Sequence, residues 1–246
     1  MTVRIAMWSG PRNISTAMMR SWDTRGDCTV VDEPFYAAYL AATGLDHPMR
    51  TEILASQQTD WSAVSDACAR GGDAPITYQK HMCQHMIPDA PLDWMASARH
   101  AFLIRPPGEV AVSFGEKWDG FGPEDLGFRR QAELFERAAA LAGKPPPVVE
   151  ARDVLTDPEG MLRALCAALD VPLDPAMLSW APGRRETDGV WATHWYGAVE
   201  RSTGFGAPRP AAPVPQELQD IVGACQPHYQ QMWDYRLRPT RRDRMA

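Results

Sequence analysis

The stretch that decides the fold is Val3-Arg4-Ile5-Ala6-Met7-Trp8-Ser9-Gly10-Pro11-Arg12-Asn13-Ile14-Ser15-Thr16. Residues 3–8 are mostly apolar and β-prone, which predicts a short buried strand. Residues 9–13 favour a turn, and a helix then begins at Ser15 or Thr16. A strand that leads through a tight turn into a helix N-terminus points unpaired backbone N–H groups at one spot, where an anion binds well.

The anion loop of this chain comprises Pro11, Arg12, Asn13, Ile14, Ser15 and Thr16. Ser15 and Thr16 add hydroxyl donors, and Arg12 adds a positive charge. It is not a Walker loop, because the pattern G-x-x-x-x-G-K-[ST] is absent. On this stretch alone, a helix cap after a simple turn explains the residues as well as an anion site does.

A second segment has the same order of elements, a strand followed by a turn and a helix. Residues 100–104 form an apolar strand, Arg105 follows it, and the next helix begins at the prolines. An arginine at the carboxyl end of a parallel strand stands where such sheets bind ligands. Ser113 comes eight positions after Arg105, two turns into the helix, so that both side chains are predicted to face the same anion.

Strands alternate with helices along the chain, which predicts an α/β fold with a central parallel sheet flanked by helices. The predicted strands are residues 3–8, 28–31, 76–79, 101–104 and 148–149. The predicted helices are residues 35–70 with breaks at Pro48 and Asp60, 109–114, 123–142, a helix from Asp157 and 216–235. Residues 180–213, the late loop, are predicted to be a long functional loop with one short helix.

The length of 246 residues predicts a single domain, residues 1–235. Residues 236–246 carry five arginines against one aspartate and are predicted to be an exposed basic tail. The net charge of −6 argues against nucleic acid as a partner. No apolar run approaches the ~18 residues of a membrane helix, and no signal peptide is evident. Five scattered cysteines without a C-x-x-C pair favour reduced thiols in the cytoplasm.

At the two anion segments the chain resembles the sulfotransferases that use 3′-phosphoadenosine 5′-phosphosulfate (PAPS). In that family P-K-[ST]-G-[ST]-[ST] holds the 5′-phosphosulfate, and the anion loop matches it with Arg12 for lysine and Ile14 for glycine. The family's R-x-P-x-x-x-x-x-S holds the 3′-phosphate and matches residues 105–113. A third element, R-K-G-x-x-G-x-W, is similar to residues 184–191, where Arg184 and Arg185 begin the motif and the middle glycine is missing.

The resemblance implies a P-loop-like sulfotransferase architecture and a sulfuryl transfer from PAPS to a hydroxyl or amine of a small-molecule acceptor. It implies no metal, and His81 and His85, four positions apart, lack a third ligand. Sulfuryl transfer demands positioning and positive charge at the leaving phosphate. Arg12 and Lys80 are the predicted electrophilic pair, with Lys80 at the end of the third strand.

Two residues compete for the general base that takes the acceptor's proton. Glu33 follows the second strand in an E-P element, where some carbohydrate-acting members carry their base. His81 is adjacent to Lys80, whereas other members separate these residues by one position. Either group performs such catalysis when its pKa is tuned, and Glu33 is the favoured candidate.

Two other classes of function stay open at the level of sequence. One is a kinase on the related P-loop architecture, which Mg²⁺-dependent ATP binding would favour. The other is a non-catalytic nucleotide-binding protein of the same fold, for which the departure at Ile14 leaves room. The aromatic residues of the late loop either line an acceptor pocket, contact adenine or pack over the sheet; they are Trp180, Trp191, Trp195 and Tyr196.

Overall fold

Five parallel strands form the centre of the protein in the order β2-β3-β1-β4-β5. The computed structural model describes residues 2–240. The strands are β1 Val3–Ser9, β2 Cys28–Asp32, β3 Ile76–Met82, β4 Arg99–Ile104 and β5 Val148–Glu150. The predicted α/β class with a parallel sheet is therefore confirmed.

Helices cover both faces of this sheet. They are α1 Ser15–Asp23, α2 Tyr36–Thr43, α3 Arg50–Ser56, α4 Trp61–Arg70, α5 Pro107–Gly115, α6 Phe128–Ala142, α7 Ala151–Thr156, α8 Pro158–Ala168, α9 Ala192–Trp195, α10 Gly197–Glu200 and α11 Gln219–Trp233. Within the described residues, no helix is both long and apolar enough to cross a membrane.

Strand β1 lies in the middle of the sheet and pairs with β3 on one side and β4 on the other. The chain runs from β1 to β2 and then β3 on one side of β1, and it then crosses to β4 on the other side. The strand order therefore reverses at β1, and a crevice opens at the carboxyl ends of these strands. Residues 5–9 of β1 are fully buried because helices cover both faces. Two separate apolar cores result, one around Met7 and Trp22, the other around Trp8 and Phe102.

Several element boundaries differ from the prediction for identifiable reasons. β3 runs to Met82, three residues further than predicted, because β1 pairs with it along its whole length. α6 begins at Phe128 rather than at residue 123, since Gly127 at φ 71° ends the preceding turns in a left-handed conformation. The late loop contains two short helices, α9 and α10, instead of one.

The predicted exposed tail starts too early by two residues. The Leu237 backbone N–H donates to the carbonyl of Val148 at 2.8 Å, beside the edge strand β5. The Arg236 guanidinium stacks over the Trp233 ring, 3.3 Å from its centroid. Residues 238–240 are exposed, and residues 241–246, the rest of the predicted tail, lie outside the described part of the chain.

Candidate active site

A cavity of about 740 Å³ lies at the carboxyl ends of the central strands. Two groups of side chains share its wall. The arginine group is Arg12, Arg105, Glu109, Ser113 and Arg152, and the aromatic group is Tyr36, Tyr39, His47, His85, Trp118 and Trp195. Glu33 and Lys80 line the same cavity. The structure therefore brings both predicted anion segments and three of the four predicted catalytic residues, Arg12, Glu33 and Lys80, to one space.

The anion loop reaches the cavity with its whole length, Pro11 to Thr16. Arg12 at φ 56° and Ile14 at φ 46° are both left-handed, a conformation that costs a side-chain-bearing residue about 1–2 kcal/mol. No side chain caps α1, so its first backbone N–H groups are left for another acceptor. The Asn13 amide holds the loop against the sheet by donating to the carbonyl of Leu103 at 2.7 Å.

Hydrogen bonds connect the anion loop to the second segment. Arg12 Nε donates to Ser113 Oγ at 3.0 Å, and Arg105 Nη1 donates to the carbonyl of Arg12 at 2.7 Å. Position 10 requires glycine, because a Cβ added there would lie 2.6 Å from the backbone oxygen of Leu126 and clash with it. Two positive side chains and an uncapped helix N-terminus thus converge, an arrangement that suits a phosphate or sulfate group.

Lys80 is fully buried and its ammonium donates to three partners. Nζ lies 3.0 Å from Asp32 Oδ1, 2.6 Å from Glu33 Oε1 and 2.5 Å from the hydroxyl of Tyr196. Burial opposes the charge on Lys80, yet the two carboxylates outweigh it and raise the pKa of Lys80 to about 12. An ammonium has only three donors, and all of them are engaged within the protein here.

Glu33 lies directly after β2 and is buried beside the ammonium of Lys80. Burial raises the pKa of Glu33, and the charge of Lys80 opposes this increase. Its second oxygen, Oε2, is 3.9 Å from His85 Nδ1. The His85 ring is stacked on Tyr36 and Tyr39, with centroid distances of 4.3 and 4.9 Å. Burial lowers the pKa of His85 well below its ordinary value, so that this imidazole is neutral.

Residues 3–236 match the family model described as a sulfotransferase domain. This chain belongs to the sulfotransferase-domain family. Two proteins of Arabidopsis thaliana, branched-chain-amino-acid aminotransferase-like proteins 2 and 1, are 34% and 37% identical to it over 227 and 206 residues. These matches cover 92% and 83% of this chain but 40% and 37% of the plant proteins, so the chain spans about two fifths of their length.

Solved sulfotransferase domains share the fold of this family member. The domain from the curacin biosynthetic pathway gives a TM-score of 0.52 at 14% identity, over 92% of this chain and 98% of that domain. The domain from the Synechococcus PCC 7002 olefin synthase also gives 0.52 at 14% identity, over 91% and 94%. At such low identity the likeness concerns the fold alone.

The structure places His81 of this sulfotransferase-domain protein away from the cavity, unlike Glu33, the other predicted base. Neighbouring residues of a strand point to opposite faces, so Lys80 faces the cavity and His81 faces the other core. The His81 ring is stacked on Trp8 at 4.5 Å and contacts Trp94 at 4.9 Å. Burial lowers the pKa of His81 to about 3, and its Nε2 is 3.1 Å from Gln79 Oε1.

Arg184 and Arg185, which the sequence predicts to bind the nucleotide, lie outside the cavity. Arg184 is exposed, and Arg185 Nη2 donates to the carbonyl of Ala181 at 2.8 Å. Asp188 anchors their segment, because its carboxylate forms two hydrogen bonds of 2.6 Å with buried Arg20. The structure therefore does not bring these two arginines to the cavity that Arg12 and Arg105 line.

Sequence reasoning missed several residues of the site in this sulfotransferase-domain chain. Asp32 accepts from Lys80, from the Tyr196 hydroxyl and from the Gly189 backbone N–H. His85 was considered only as half of a metal pair, although a buried imidazole beside a predicted carboxylate base is itself a signal. Of the late-loop aromatics, Trp191, Trp195 and Tyr196 line the cavity, and Trp180 packs against Phe205.

Proposed function

We propose that this protein transfers the sulfuryl group of PAPS to a hydroxyl or amine of a small-molecule acceptor. The observation that supports this most is a set of hydrogen bonds at the uncapped start of α1, in which Arg12 Nε donates to Ser113 and Arg105 donates to the carbonyl of Arg12. Two separate motifs, about ninety residues apart in the chain, thereby meet at one wall of the cavity. Such a wall suits a nucleotide with phosphates at both its 5′ and 3′ positions.

In the proposed reaction the acceptor oxygen or nitrogen attacks sulfur while the bond between sulfur and the phosphate oxygen breaks. Adenosine 3′,5′-bisphosphate leaves, and its new negative charge is stabilised by Arg12 and the backbone N–H groups of α1. Glu33 takes the acceptor's proton, and neutral His85 lies beside it. Lys80 holds Glu33 in place and donates to the sulfuryl oxygens only if it releases one of its present partners.

The test is the binding of adenosine 3′,5′-bisphosphate, measured by thermal shift and calorimetry. At one hundred times its Kd the nucleotide is expected to stabilise the fold by about 2.7 kcal/mol. ATP with Mg²⁺ serves as the comparison, since stronger stabilisation by ATP would favour the kinase. Tight binding without turnover on any acceptor would favour a non-catalytic nucleotide-binding protein. No shift with millimolar bisphosphate would contradict the proposal.

A variant identifies the residues that bind the 3′-phosphate. Arg105→Ala is expected to lower the affinity for the bisphosphate by about tenfold to a hundredfold, because a charge-assisted hydrogen bond contributes about 1.5–3 kcal/mol. Adenosine 5′-phosphosulfate, which lacks the 3′-phosphate, should lose little affinity. Arg129→Ala removes an exposed arginine outside the cavity and is the matched control. Equal losses for both nucleotides would contradict the assignment of Arg105.

A further inference from the structure

One acidic side chain shares the cavity with the aromatic group. Asp125 lines the cavity, and its Oδ2 accepts one bond of 2.8 Å from the Gly122 backbone N–H. Its side chain is half-buried. A carboxylate that is partly removed from water is costly unless a hydrogen-bond donor or a positive charge accompanies it.

No positive side chain neutralises Asp125. Within the described residues, no lysine, arginine or histidine nitrogen lies within 4.0 Å of its carboxylate. Burial lowers the pKa of His47 and His85, so both imidazoles in the aromatic group are neutral. The ammonium of Lys80 is already shared between two carboxylates. This part of the cavity therefore disfavours a negatively charged acceptor.

The negative charge of Asp125 reaches the rings that line the cavity. Burial, and then the charge of Asp125, raise the pKa of Tyr39 to about 12. The same charge opposes the effect of burial on the pKa of His47. The His47 ring is 4.8 Å from the Trp118 ring and 6.1 Å from the Trp195 ring, and its Nδ1 is hydrogen-bonded to the Tyr36 hydroxyl. One carboxylate thus lines the same cavity as these aromatic rings.

We infer that the sulfuryl acceptor carries a protonated amino group, separate from the group that is sulfated, and that this ammonium binds Asp125 in the cavity that the aromatic group lines. This rests on the proposed function, because the aromatic group is assigned to the acceptor. An ammonium supplies hydrogen-bond donors and the positive charge that the Asp125 carboxylate lacks among its neighbours within residues 2–240. Aromatic faces attract such a cation, and more strongly when it leaves water.

The test compares three probes that share a 4-ethylphenol skeleton and differ in the group at the end of its arm: tyramine carries an ammonium, 4-ethylphenol a hydrogen and 3-(4-hydroxyphenyl)propanoate a carboxylate. Calorimetry on the full chain measures their binding with and without adenosine 3′,5′-bisphosphate. Tyramine is expected to bind at least tenfold more tightly than 4-ethylphenol, and the propanoate most weakly. Asp125→Asn should remove most of the tyramine advantage and leave 4-ethylphenol unchanged. The asparagine oxygen still accepts from the Gly122 N–H, so the turn is preserved.

Asp119→Asn removes an exposed carboxylate close in sequence that does not line the cavity, and it should change none of the three affinities. The inference is overturned if tyramine binds no more tightly than 4-ethylphenol, if tyramine binds equally tightly to the Asp125→Asn variant and to the wild-type protein, or if none of the probes binds. If the bisphosphate fails to bind, the proposed function fails. The measurements without nucleotide then still decide whether the cavity selects an ammonium.

Discussion

Glu33 is held by its neighbours more tightly than a surface acid would be. Its backbone has φ 43°, its N–H donates to the carbonyl of Lys80 at 2.9 Å, and its Oε1 accepts from the Lys80 ammonium at 2.6 Å. A left-handed, non-glycine residue is strained, and such strain persists where the surrounding structure determines it. The bonds around Glu33 leave Oε2 as the oxygen nearest to His85.

If Glu33 is the base, Glu33→Gln should lower kcat by about 10² to 10⁴-fold, because the amide keeps the volume but accepts no proton. Binding of the bisphosphate should change little, and calorimetry would confirm that the nucleotide site is intact. The comparison is His85→Asn, which keeps a polar group beside Glu33 and should cost much less in kcat. A larger loss for His85→Asn than for Glu33→Gln would transfer the role of base to the histidine.

At the scale of elements, the late loop is attached to the sheet by buried polar contacts. The Arg20 and Asp188 side chains are almost completely inaccessible and form a bidentate ion pair. The next residue, Gly189, donates its backbone N–H to Asp32 at 3.1 Å. Trp191 Nε1 donates to the Tyr196 hydroxyl at 3.0 Å, and this hydroxyl contacts Lys80. The ion pair therefore holds the segment that completes the cavity.

Asp188→Leu is expected to destabilise the protein by about 3–5 kcal/mol in urea unfolding, because it leaves the Arg20 charge buried and unpaired. Trypsin should also cleave faster after Arg184 and Arg185, since their segment loses its attachment. The double variant Arg20→Met/Asp188→Leu removes both charges and should recover most of the lost stability. A double variant that is as unstable as the single one would show that packing, rather than the unpaired charge, causes the loss.

At the scale of the whole molecule, buried histidines make the stability of the fold depend on pH. Burial lowers the pKa of His47, His81, His85 and His100 below the ordinary value. Below about pH 6.5 these histidines therefore bind protons in the unfolded chain but not in the folded chain. The free energy of unfolding falls as the pH drops below this value. Glu150 acts in the opposite direction, because burial raises its pKa to about 7. Its contribution increases stability as the pH falls from about 7 to about 4.5.

His81→Phe isolates one of these protons, since phenylalanine keeps a ring between Trp8 and Trp94 but does not titrate. Between pH 6 and pH 4 the variant's free energy of unfolding should fall less steeply than that of the wild type, by about 1.4 kcal/mol per pH unit. Denaturant unfolding at a series of pH values measures both slopes. Parallel slopes for the two proteins would show that His81 titrates normally. The proposed sulfuryl transfer should be unchanged in the folded variant, because His81 does not line the cavity.

The local pattern of the sequence was enough to predict the layers of the fold and the convergence of Arg12, Arg105 and Ser113 at one cavity. Apolar runs bounded by turn residues located all five strands, because burial between two helical layers demands apolar side chains on both faces. Arg105 and Ser113 were predicted together, because a strand end and two helical turns fix their relative position over eight residues. Short-range geometry of this kind is contained in the sequence itself.

The partners of the buried polar residues were decided only by the tertiary structure. The sequence predicts that the third strand ends at Gln79, because ionisable residues such as Lys80 and His81 rarely belong to a buried strand. In the structure both residues lie within β3. They are tolerated because Glu33, 47 positions away, and Tyr196, 116 positions away, reach Lys80, while His81 is neutral among aromatic rings. Whether a charge can be buried depends on what surrounds it in space, and contacts over such sequence distances exist only once the sheet and the late loop have come together.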